Sequence, residues 1–111
     1  MRNGLGGKEK RALERLKELL LGRFPKEILR IQLFGSKARG EADKFSDIDV
    51  LVVIRKGDWQ FRDRVQDVSY EVFRETGIDI SLVVMEERQF KQLLHWRAPF
   101  VQNVQREGLL I

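Results

Sequence analysis

The chain has no cysteine and a single histidine among its 111 residues. Without thiols there is neither a disulfide framework nor a thiolate metal site, a composition that suits a reducing cytosol. With one imidazole there is no histidine pair for a zinc centre. No apolar run approaches the roughly 20 residues of a membrane span, and the N-terminal MRNGLGGKEKR lacks the apolar centre of a secretory signal. The expectation is a cytoplasmic protein with no membrane association.

Hydrophobic residues make up 42% and charged residues 34% of the chain, a soluble globular composition. That length predicts one domain over 1–111 with one core. The formal charge of +4 does not by itself point to a nucleic-acid partner. Many basic residues alternate with acids, as in KEKRALERLKELL, which is the pattern of a solvated helix face.

Leu13, Leu16, Leu19 and Leu20 recur at helical spacing and predict a helix over 8–21, stopped by Gly22 and Pro25. Residues 28–34 read as a strand. Residues 47–54 are β-branched and apolar on both faces, as in a central strand covered on both sides. Asp58 can cap a helix striped by Phe61, Val65, Val68 and Val72 that ends at Gly77. A third strand over 78–85, a helix near 86–96, a break at Pro99, a shorter helix to Glu107 and the apolar end GLLI complete an α/β pattern without repeats.

Two aspartates, Asp47 and Asp49, open the central strand and share one face by alternation. A helix between the second and third strands makes them parallel neighbours, so Asp79 comes to the same end of the sheet. If the first strand is antiparallel to the second, its end at Gly35-Ser36 reaches that edge too. Carboxylates gathered this closely repel unless a cation lies among them. Oxygen ligands without thiols favour Mg²⁺, with Mn²⁺ possible, and magnesium completes its shell with water and substrate phosphate. Gly35 allows close backbone approach, and amides opening a short helix over 36–38 would face an anion with the Ser36 hydroxyl beside them. Gly40 would permit the turn back. Lys37 and Arg39 read either as phosphate contacts or as solvated loop charges.

The pattern Gly35-Ser36, ten residues, Asp47-Ile48-Asp49 resembles the signature of the polymerase-beta-like nucleotidyltransferase superfamily. With Gly40 and the Ser46-Asp47-Ile48-Asp49 run, it resembles in particular the minimal nucleotidyltransferases, over about residues 10–95. The resemblance implies that superfamily's fold, a small mixed β-sheet with helices packed on it. It also implies nucleotidyl transfer with two metal ions and ATP as substrate. Asp47 and Asp49 would hold both metals, and Asp79 would hold the metal that activates the acceptor hydroxyl or act as its base. Gly35 and Ser36 would bind the β and γ phosphates. Minimal nucleotidyltransferases pair with helical proteins of the HEPN class, several of them as antitoxin and toxin, with AMP thought to pass to a tyrosine of the partner.

Alternatives remain open at this stage. One is a non-catalytic antitoxin that neutralises its partner by occlusion, and another is transfer to a small molecule or an RNA end. His95 reads as a helix-surface residue rather than a ligand. Trp96, Phe100, Val101, Val104, Leu109, Leu110 and Ile111 read as core or as an interface with a homodimer or HEPN subunit, and Trp59 and Phe61 raise the same choice.

Overall fold

A computed structural model describes residues 5–35, 38, 40 and 48–110, except the side chains of residues 107, 109 and 110. These residues form four helices and four strands. In chain order they are α1 (Gly7–Arg23), β1 (Ile28–Phe34), β2 (Ile48–Ile54), α2 (Trp59–Thr76), β3 (Ile80–Glu86), α3 (Glu87–His95), α4 (Pro99–Glu107) and β4 (Leu109–Leu110). No helix among the described residues is long and apolar enough to cross a membrane.

Helix boundaries follow local chemistry. The α1 helix continues past Gly22 and ends at Phe24, which has left helical geometry at φ −130° and ψ 54° while its N–H still reaches the Leu20 carbonyl. The stop therefore belongs to Pro25, whose ring drives the preceding residue out of the α region, and Gly22 is tolerated inside the helix. In α2 the Asp58 carboxylate accepts the Phe61 N–H at 2.9 Å. Its other end is closed by Gly77 at φ +74°, the left-handed cap that glycine adopts without a Cβ penalty.

The sheet order is β3-β2-β1-β4. Strand β1 is antiparallel to β2, from Ile28 opposite Ile54 to Phe34 opposite Asp49. Strand β3 is parallel to β2, from Ile80 beside Ile48 to Glu86 beside Ile54. The antiparallel first pair and parallel second pair are the arrangement that brings Gly35 and Asp49 to one edge. The third strand starts at Ile80, so Asp79 immediately precedes it rather than lying within it.

One face of the sheet carries Ile31, Leu33, Ile48, Val50, Val52, Ile54, Ile80 and Leu82, packed against Leu13, Leu16 and Leu20 of α1 and Val65, Val68 and Val72 of α2. The other carries Leu51, Val53 and Met85 under Phe90 of α3 and Val101 and Val104 of α4, with Phe34, Leu93 and Leu94 at its margin. Strand β2 is thus buried from both sides, as its unbroken apolar run predicts.

The apolar C-terminus divides into different roles. Val101 and Val104 are core, whereas Trp96 and Phe100 are exposed. Leu109 and Leu110 pair with Leu33 and Gln32, covering the edge of β1; Ile111 lies outside the described residues. This docking is organised by Gln32, which is buried and donates from Nε2 to the Val104 carbonyl at 2.9 Å. Its Oε1 accepts from Arg30 at 3.1 Å, so both ends of the amide are satisfied. At the opposite edge, Ser69 of α2 donates to the Ile80 carbonyl at 2.9 Å and Gln66 to the Leu82 carbonyl at 3.0 Å.

Two ion pairs tie α1 to α2: Arg15 with Glu75 at 2.8 Å and Arg23 with Glu71 at 2.6 Å. Hydrogen bonding by the arginines holds both glutamates below their ordinary value of 4.5. A depressed carboxylate pKa contributes stability above the unfolded value, lost as pH falls through the folded value. The wild-type melting temperature should therefore fall more steeply below about pH 4.5 than that of a Glu71→Gln/Glu75→Gln variant. Parallel pH profiles would exclude the pairs as a source of acid sensitivity. Both pairs are solvent-exposed, so the effect should shrink in high salt.

Candidate active site

Asp49 is the second residue of β2, flanked in register by Phe34 of β1 and Ser81 of β3. Alternation places it with Leu51 and Val53, on the face covered lower down by α3 and α4. Its side chain is half-buried, at the point where the apolar strand meets solvent. Asp79 precedes Ile80, the partner of Ile48, so it stands at the same end of the sheet. Ile80 and Leu82 point into the first core, and Ser81, the register partner of Asp49, lies on Asp49's face. Asp79 is exposed.

Gly35 closes this edge from the β1 side. It follows Phe34 directly and adopts φ +79°. A Cβ built there would come within 2.7 Å of Asp49 Oδ2, so the glycine backbone lies against the carboxylate with no room for a side chain. Gly40 also has positive φ, +76°, as the expected turn requires. Between these glycines Ala38 is fully buried in the first core, anchoring the connection from β1 towards β2. Ser36, Lys37, Arg39 and Asp47 lie outside the described residues.

The carboxylates present are hard oxygen donors, and His95 is exposed at the far end of α3. This chemistry fits Mg²⁺ or Mn²⁺ rather than zinc. Among the described residues no group of three or more acidic, histidine or cysteine side chains gathers to hold a metal ion. Of the three acids expected as metal ligands, Asp49 and Asp79 stand at one end of the sheet, and Asp47 lies outside the described residues.

Residues 10–108 match the family model of the nucleotidyltransferase domain. The chain belongs to the nucleotidyltransferase family. A curated relative from Methanocaldococcus jannaschii, named "Putative protein adenylyltransferase", is 34% identical over 103 residues, covering 93% of this nucleotidyltransferase and 97% of the relative. The solved structure of a "putative minimal nucleotidyltransferase" superposes with a TM-score of 0.61 at 25% identity, over 94% of this chain and 95% of the other. A chain of the toxin-antitoxin MntA-HpeT crystal structure shares the fold, with a TM-score of 0.59 at 23% identity, over 89% and 70% of the two chains.

Phe34 of this nucleotidyltransferase also borders the edge, as the register partner of Asp49. Its ring is on Asp49's face and meets Phe100 of α4 edge-on, with centroids 5.3 Å apart and planes at 90°. The available signal was Phe34's place immediately before Gly35. Phe100 could be found only through tertiary packing.

Proposed function

We propose that this nucleotidyltransferase moves AMP from ATP onto a tyrosine hydroxyl of a HEPN-class partner, acting as the antitoxin of a toxin-antitoxin pair. The observation that supports the site assignment is the seating of Asp49's carboxylate against the Gly35 turn, with Asp79 at the same end of the sheet. A protein acceptor is supported by the name of the M. jannaschii relative. The HEPN partner follows from the resemblance of the Gly35-Ser36 to Asp47-Ile48-Asp49 pattern to minimal nucleotidyltransferases, with which the fold shared with the MntA-HpeT chain agrees.

In this reaction the acceptor oxygen attacks the α-phosphorus of ATP. A new oxygen–phosphorus bond forms while the bond to the bridging oxygen breaks, and pyrophosphate leaves in line. Gly35 and Ser36 would bind the β and γ phosphates, and Lys37 and Arg39 would add positive charge. Asp79, exposed where an acceptor can reach it, takes the hydroxyl proton. Asp47, Asp49 and Asp79 would hold two Mg²⁺ ions, whose charge when bound offsets that of the triphosphate and the leaving group.

The test incubates labelled ATP, Mg²⁺ and a HEPN-class protein from the same organism with either wild type or an Asp47→Asn/Asp49→Asn variant. Label should reach the partner only with wild type, and the variant should remain folded. Equal silencing of the partner by both proteins, without label transfer, would instead establish occlusion.

A further inference from the structure

We propose that Phe100, held edge-on by Phe34, is the stacking platform for the purine of the bound nucleotide. The inference rests on nucleotide binding at the Gly35–Asp49 end of the sheet.

Phe34 is both the residue before Gly35 and the register partner of Asp49. Directly opposed residues of an antiparallel pair share a face, so its ring stands beside the acidic edge. Phe100 is the second residue of α4 and lies perpendicular to Phe34, with centroids 5.3 Å apart. It remains 37% exposed. An edge-to-face pair leaves ring area open for a further aromatic partner.

The corner before α4 fixes where Phe100 sits. Arg97 is a non-glycine residue at φ +55°. Its N–H donates to the Leu94 carbonyl at 3.0 Å, and the Ala98 N–H donates to the Leu93 carbonyl at 2.9 Å. Pro99 then opens the helix with its φ already restricted. The ring is thus positioned in advance, reducing the ordering cost of stacking.

A nucleoside triphosphate presents two different surfaces to this edge. Its phosphates demand cations and amides, whereas its base presents a flat π face that an aromatic ring can match without hydrogen-bond readout. Of the other exposed aromatics, Trp59, Tyr70 and Phe73 belong to α2, over the opposite face of the sheet, and Trp96 ends α3, with no ring contact to Phe34 among the described residues. Phe34 and Phe100 are on Asp49's face and at its end of the sheet.

Calorimetry with ATP and with inorganic tripolyphosphate, each with Mg²⁺, tests the assignment on wild type, Phe100→Ala and Phe100→Trp. Tripolyphosphate carries the charge without the base. Phe100→Ala should weaken ATP about 5- to 150-fold, the range expected for losing one stacking ring, while tripolyphosphate binding is unchanged. Phe100→Trp should restore ATP, and the alanine variant should raise KM for ATP with little change in kcat. Equal weakening of both ligands would reveal a purely structural ring and overturn the inference. So would unchanged ATP binding, including the case where KM rises only for the protein acceptor. If wild type binds neither ligand, the nucleotide reading itself falls, and this assignment with it.

Discussion

Replacing Gly35 by alanine should cost at least about 100-fold in nucleotidyl transfer, the scale of loss when a reacting group is displaced by about an ångström, while leaving the domain folded. Two effects coincide at this position. Gly35 sits at φ +79°, where a Cβ costs roughly 1–2 kcal/mol. That Cβ would also stand 2.7 Å from Asp49 Oδ2, forcing the carboxylate away from its place. Gly77 separates the two contributions, because it has nearly the same φ, +74°, but nothing within 4 Å of a built Cβ. Gly77→Ala should lose similar backbone stability and keep its transfer rate. Melting temperature and label transfer measured on both variants decide the matter. If Gly35→Ala transfers AMP as well as Gly77→Ala, the contact with Asp49 has no catalytic consequence.

The largest expected loss of stability is at Gly108, where α4 passes into β4 beside Gln32 of β1. Gly108 follows α4 and lets the chain turn into β4, its N–H donating to the Val104 carbonyl at 2.7 Å. A Cβ there would run into that same carbonyl and come within 2.5 Å of Gln32 Nε2. Gly108→Ala therefore disturbs the Gln32–Val104 bond and the pairing of β4 with β1 together. Overpacking of this kind costs about 1–3 kcal/mol, or on the order of 5–12 °C in melting temperature for a domain this small. Shortening Gln32 does not restore the loss, because the obstructing Val104 carbonyl is backbone. A Gly108→Ala/Gln32→Ala variant with wild-type stability would contradict this account.

Elements whose hydrophobic period and caps lie within a few residues were readable from the chain. The α2 helix is an example: Asp58 opens it, Gly77 closes it, and Val65, Val68 and Val72 mark its buried stripe. The placement of Asp49 and Asp79 at one end of the sheet was readable too, because a crossover helix between two strands dictates parallel pairing. What escaped depends on distant partners. Leu109-Leu110 is an apolar pair with no period of its own, and it becomes a strand only because β1 has an edge to cover. Gln32 is polar within an apolar strand, and its burial makes sense only once the Val104 carbonyl is opposite. Phe100 stands by Asp49's register partner through contact between residues 66 positions apart.

The treatment of the sheet's two borders bears on how other proteins can approach it. Strand β4 occupies part of one border, while Ser69 and Gln66 bind two carbonyls along β3 at the other. An incoming chain seeking to zip on as a further strand meets backbone already engaged, the arrangement by which proteins discourage sheet-to-sheet aggregation. On the proposed function, an acceptor whose hydroxyl reaches Asp79 would arrive on a loop or a helix, recognised through side chains rather than a backbone ladder.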